Sequence, residues 1–230
     1  MTVAVLAGLG VVVGAALPWL LAVLPDREHE AGEPVRTPYR VLAAAPRLRP
    51  LLAAATGVTW GVLAATLGWT AEVPAYLLVG ALGVAMAYVD LREHRLPDPL
   101  TASALVGGGS MLAVAAAVTD GWEAYGRSWL AAAVMFAVFL GLALLRPADL
   151  GLGDVKLAGV LGLMLGWLGW GTVVVGAFLG FLFGGLAGVT LVLARRAGRR
   201  SAIPFGPFML LGALAAVAWG DPLLDAYVGR

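Results

Sequence analysis

Two aspartates, Asp90 and Asp154, stand out because each adjoins one end of a long apolar run. Ionisable side chains at membrane depth are costly and are functional candidates by default. Asp90 lies in Tyr88-Val89-Asp90-Leu91-Arg92-Glu93-His94-Arg95-Leu96-Pro97-Asp98-Pro99-Leu100-Thr101, and Asp154 in Gly151-Leu152-Gly153-Asp154-Val155-Lys156-Leu157. Two carboxylates on different helices can divide a hydrolysis between them. One takes a proton from the water that attacks a peptide carbonyl, and the other protonates the departing group. A free Asp titrates near ~3.9, so the chemistry needs burial and mutual repulsion to keep one of the pair protonated. Asp154 opens a helix and Asp90 closes one, and the helix dipole favours the anion at Asp154. That ordering makes Asp154 the base and Asp90 the acid, within a pair that titrates as a unit.

The neighbours have readings of their own. Gly151 and Gly153 permit positive φ and the close approach of another backbone, such as a substrate strand. Lys156 neutralises the pair, binds a substrate carbonyl or snorkels to the interface. Pro97 and Pro99 restart the chain into the next span, and Asp98 reads as an N-cap-like carboxylate, or as a group steadying the turn or meeting a cationic partner. Glu93, His94, Arg95 and Asp149 read as solvated loop residues, with Glu93 and Asp149 placed to attract a cation. His94 has no partner histidine nearby for a metal. The chain has no cysteine, which excludes disulfides, thiol catalysis and Cys-ligated zinc.

The elements that must position these groups are membrane helices. Of the 230 residues, 61% are hydrophobic and 13% charged, with mean hydropathy +0.91. Soluble domains carry roughly 45–50% apolar and about 25% charged residues. A formal net charge of +1 points to no nucleic-acid partner. Apolar runs at 2–24, 50–68, 73–90, 99–119, 128–145, 154–169, 171–194 and 203–219 predict eight spans. They are continuous rather than alternating, which excludes a barrel. With the N-terminus outside, all of the 15 Lys and Arg except Arg127 and Arg230 fall on the inner side. Trp69, Trp122, Trp129, Trp167, Trp170 and Trp219 then form an outer aromatic belt. The reading is an all-α integral membrane protein with both aspartates at the cytoplasmic face.

Its parts are a first span (1–24), a short basic cytoplasmic loop (25–49), a seven-span core (50–220) and a tail (221–230). The first span lacks a basic n-region and reads as retained. In the loop, Asp26, Glu28, Glu30 and Glu33 precede the arginines, and the segment is too poor in apolar residues to fold alone. Gly176, Gly180, Gly184 and Gly188 lie on one face of the seventh span and predict close helix packing. The cluster Arg195, Arg196, Arg199 and Arg200 holds topology and touches anionic lipid headgroups.

Three blocks resemble the type IV prepilin peptidase family, the bacterial branch of the G-x-G-D membrane aspartic peptidases. They are Asp90 with Leu96-Pro97-Asp98 and Leu100-Thr101, Gly151-Leu152-Gly153-Asp154 with Val155-Lys156-Leu157, and Ile203-Pro204-Phe205-Gly206-Pro207-Phe208. The resemblance implies an aspartic endopeptidase with Asp90 and Asp154 catalytic and Gly151, Gly153, Lys156, Pro97 and Asp98 supporting. The implied substrates are prepilin or pilin-like precursors, cut after a short basic leader just before the precursor's hydrophobic helix. The implied location is the inner, cytoplasmic membrane, in contact with lipid. No metal or organic cofactor is implied, and water is the nucleophile. Larger family members carry paired C-x-x-C motifs and methylate the new N-terminus; without cysteine here, the resemblance supports the peptidase activity alone.

Three rivals compete. An ion-coupled transporter would use the same carboxylates, but its site belongs near the bilayer midplane between repeated halves. A non-enzymatic assembly factor would not need the motif blocks. A presenilin-like peptidase would carry Tyr-Asp and Pro-Ala-Leu, whereas Tyr88 stands two places before Asp90 and the last block reads Pro-Phe-Gly-Pro.

Overall fold

A computed structural model describes residues 2–26, 36–145, 150–194 and 204–228. The described residues are helical, with no strand among them. The helices are α1 (Thr2–Ala22), α2 (Tyr39–Ala43), α3 (Leu48–Leu67), α4 (Val73–Glu93), α5 (Asp98–Thr119), α6 (Trp122–Leu145), α7 (Leu152–Leu168), α8 (Trp170–Leu193) and α9 (Gly206–Val228). Six of them, α1, α3, α4, α5, α6 and α8, are long and apolar enough to cross a membrane. The chain is a multi-pass helical membrane protein.

Helix ends follow local chemistry. α4 and α5 each open with a proline in the first two positions, where its missing N–H costs nothing. α7 and α8 are separated by Gly169 alone, whose φ of 145° is open to glycine and strained for other residues. α4 continues one turn past the expected end at Asp90 to Glu93, and His94 closes it in the left-handed conformation by donating its N–H to the Asp90 carbonyl. α6 begins at Trp122 rather than 128, so the expected outer loop is helical. The backbone of α9 stays helical to Val228, through most of the segment read as a tail. The segment read as a cytoplasmic loop contains α2, which buries Tyr39 and Leu42 in the main core.

The two aspartate-bearing helices are the interior of the bundle. In α4, 72% of the most apolar window is buried, against 22–39% in the other five candidate spans. α7 buries Val155 and every residue from Leu157 to Trp167, in contact with α5, α6, α8 and α9. A helix apolar on all sides belongs inside such an assembly. Small residues bring its neighbours close. A Cβ on Gly162 would lie 2.6 Å from the Ala131 carbonyl oxygen of α6, and one on Gly166 would lie 2.6 Å from Ala131 Cβ. The expected glycine packing on α8 holds at Gly176, Gly180 and Gly184, which face α9, Leu165 and Phe205.

The far end of α7 is held by Arg127, which donates to the Gly166 and Trp167 carbonyls at 2.8 and 2.7 Å. A cation there satisfies terminal carbonyls and meets the negative end of the dipole. Tyr76 ties α4 to α7 by donating its hydroxyl to the Met164 carbonyl at 2.7 Å. Expectations for Arg27, Glu28, His29, Glu30, Glu33, Arg146, Asp149, Arg195, Arg196, Arg199, Arg200, Ile203 and Arg230 lie outside the described residues.

Candidate active site

Asp90 and Asp154 line one cavity of about 540 Å³ at the end of the bundle where α4 finishes and α7 begins. Asp90 sits in the last turn of α4 and is only 4% exposed. Its Oδ2 accepts the backbone N–H of Gly206, the first residue of α9, at 3.1 Å. Asp154 sits in the first turn of α7, partly buried, and its Oδ2 accepts the Gly151 N–H at 3.1 Å. The dipole asymmetry expected from sequence is therefore smaller in the fold. Asp90 closes its own helix, yet it is bonded at the N-terminal end of another, so both carboxylates meet the positive end of a helix.

The glycines act by space rather than by unusual dihedrals. Gly151 is extended, at φ −82° and ψ 155°, and neither it nor Gly153 has positive φ, contrary to the conformational expectation. The close approach is real, but the approaching chain is the protein's own. A Cβ on Gly153 would lie 3.0 Å from Leu96 Cβ, and one on Gly206 would lie 2.8 Å from Asp90 Oδ2 and 3.4 Å from Leu96 Cδ1. Leu96 thus wedges between the start of α7 and the start of α9, just after the turn that carries Asp90. Pro97 follows, buried, as the N-cap of α5, and its carbonyl accepts the Leu100 and Thr101 N–H groups and the Thr101 hydroxyl. The Leu96-Pro97-Asp98 and Leu100-Thr101 pattern is therefore a single local device that fixes this corner.

Asp98 is the first residue of α5, past the N-cap position expected for it, and it pairs with Lys156 of α7 at 2.6 Å. Neither neutralising the aspartate pair nor snorkelling describes this contact: the Lys156 charge is matched by Asp98 across the mouth of the cavity. Both side chains are substantially exposed, at 46% and 35%, so the pair works by bridging α5 and α7 more than by strength.

Sequence reasoning missed a second wall. Asp26, Arg36, Tyr39 and Arg95 also line the cavity. Tyr39 donates its N–H to Asp26 Oδ1 at 2.9 Å, Thr37 donates its N–H to Glu93 Oε2 at 3.1 Å, and Arg95 donates to the Thr37 carbonyl at 2.9 Å. The Arg95 guanidinium stacks 4.1 Å from the centre of the Tyr39 ring. Glu93 and Arg95, read as solvated loop residues, in fact clamp the chain before α2 onto the site. The apolar trio Tyr39, Val41 and Leu42 within a polar stretch was the available signal.

Among the described residues no group of three His, Cys, Asp or Glu side chains is placed to hold a metal ion. Of the described Lys and Arg, all except Arg127 lie on α2, at the starts of α3 and α7, at the end of α4, or in the connections on this side.

The family model described as the Type IV leader peptidase family matches residues 75–224, which include both aspartates and the start of α9. A prepilin leader peptidase/N-methyltransferase of Aeromonas hydrophila is 31% identical over 192 residues, covering 79% of this chain and 59% of that protein. The protein of the same name from Aeromonas salmonicida strain A449 is 32% identical over 188 residues, covering 78% and 60%. That from Legionella pneumophila is 29% identical over 170 residues, covering 70% and 55%. The chain spans about three-fifths of the length of the Aeromonas relatives. No solved structure matches it. With about two thirds of its length matched by the family model and the aspartates within that match, the chain belongs to the type IV leader peptidase family.

Proposed function

We propose that this chain is an aspartic endopeptidase that removes the short basic leader from prepilin or pilin-like precursors. The observation that carries the reading is a pair of aspartates from two buried helices opening on one cavity lined by further charged side chains, in a member of this family. A water between the carboxylates attacks the scissile carbonyl. Asp154, the more exposed of the two, takes the proton from that water, and Asp90 protonates the departing amine. Gly206 and Gly151 hold the two carboxylates by their backbone N–H groups, and Leu96 sets the spacing between the elements that carry them. The seven-span portion, 50–220, is the peptidase core in this reading.

The same reading places α1 and α3–α9 across the inner membrane as eight spans, N-terminus outside and the aspartates at the cytoplasmic face. The basic residues gathered beside the site support that orientation, because cytoplasmic segments are enriched in Lys and Arg. The reading is confined to the peptidase and does not extend to N-methylation. A transporter is disfavoured by the position of both aspartates at one end of the bundle rather than mid-helix.

The test is co-expression with a precursor bearing a basic leader, followed by gel shift and N-terminal sequencing of the product. A new N-terminus at the leader junction is the expected result; an unprocessed panel of such precursors would refute the reading.

A further inference from the structure

A second cavity, of about 600 Å³, is an open groove between α3 and α9 with α4 as its floor. We propose that it seats the apolar helix of the precursor, a reading that rests on the peptidase function above. Three observations support this occupant. The first is that the groove ends beside the site. The groove ends at Tyr88, Leu91 and Pro207, which flank Asp90 and the Gly206 amide bonded to it. An apolar helix lying in the groove therefore presents its N-terminal end to the aspartates, while the polar chain preceding it enters the cavity lined by Asp26 and Asp98. A cavity lined by charged side chains at one end and a trough without any along the side match a substrate whose character changes at the scissile bond.

The second observation is length. On α4 the lining runs from Tyr76 to Leu91, about 22 Å at the helical rise of 1.5 Å per residue. That accommodates most of a span of ~20 residues. The third is chemistry. The hydroxyls in the lining are satisfied within the protein: Thr59 donates to the Ala55 carbonyl, Tyr76 to Met164 and Tyr88 to Leu42. The groove thus offers an occupant apolar surface, and Ala54, Ala55 and Ala87 leave room for close helix contact.

The test uses the full chain in membranes with a photo-reactive benzophenone side chain at Val58 or Leu211, both exposed in the groove, or at Val138, exposed on α6. Adducts with the precursor's helix from Val58 and Leu211 and none from Val138 are expected. In parallel, Ala54→Trp should raise KM for the precursor at least tenfold relative to a short leader-junction peptide lacking the helix. Adducts with lipid alone, equal adducts at Val138, or an unchanged KM ratio would overturn the groove while wild-type cleavage keeps the peptidase reading. If Ala54→Trp does not accumulate, the adduct pattern decides. A wild type that cleaves neither substrate would overturn both.

Discussion

The backbone N–H of Gly206 donates to Asp90 Oδ2 at 3.1 Å, joining the start of α9 to the last turn of α4 across 116 residues of sequence. A buried carboxylate needs such a partner, because leaving it unmatched costs more than a neutral polar group does. The contact also explains why a glycine stands there. A Cβ at 206 would lie 2.8 Å from the same oxygen.

Gly206→Ala is therefore expected to displace the Asp90 carboxylate with little disturbance of the bundle. A misplacement approaching 1 Å at a reacting group costs about 10²-fold. The expected outcome is a loss of that order in kcat with KM for the precursor nearly unchanged, measured on purified protein. An undiminished kcat would show that the Gly206 contact does not set the position of the acid.

The Asp98–Lys156 pair yields a different expectation. Both side chains are partly exposed, so the pair contributes about 0.2–1 kcal/mol and weakens as salt rises. A double-mutant cycle with Asp98→Asn and Lys156→Gln, read by thermal unfolding in detergent, should give a coupling in that range. Activity should fall only several-fold in either variant.

Arg95 anchors the chain before α2. It combines a hydrogen bond to the Thr37 carbonyl with stacking on Tyr39. Arg95→Ala should cost about 1–2 kcal/mol from these contacts together. Hydrogen exchange is the readout: the amides of Thr37 and Tyr39 should lose protection while those of α7 keep theirs.

The contact between α6 and α7 is close enough to be sensitive to size. Gly162→Leu would drive a side chain into the Ala131 carbonyl region and should destabilise the protein by about 1–3 kcal/mol. Gly141, with nothing near its Cβ position, is the control: Gly141→Leu should leave the melting temperature within a degree or two of wild type.

The parts legible in the sequence are those with continuous local signals. α4 begins at Val73 as expected, and the apolar runs mark the other long helices within a few residues, except for the start of α6 and the end of α9. Asp90 and Asp154 were legible because charge is conspicuous at the end of an apolar run. What was not legible depends on contacts far apart in sequence or on elements too short to show a period. α2 has five residues, less than two turns. α4 runs on through Arg92 and Glu93 because His94, not Asp90, supplies the left-handed cap. The role of Leu96, the pairing of Asp98 with Lys156 and the bond from Gly206 to Asp90 all join separate helices, and nothing local to any of those residues announces its partner.

The central claim is that Asp90 and Asp154 act together on a peptide bond. The most direct measurement compares precursor cleavage by wild type, Asp90→Asn and Asp154→Asn, with membrane abundance and melting temperature recorded for each. Each substitution keeps the shape and one acceptor oxygen for the backbone N–H but removes the acid or the base. The account predicts that each single variant loses at least about 10²-fold in rate, that both remain folded, and that the double variant is no worse than either alone. Wild-type rates in either folded variant would contradict it.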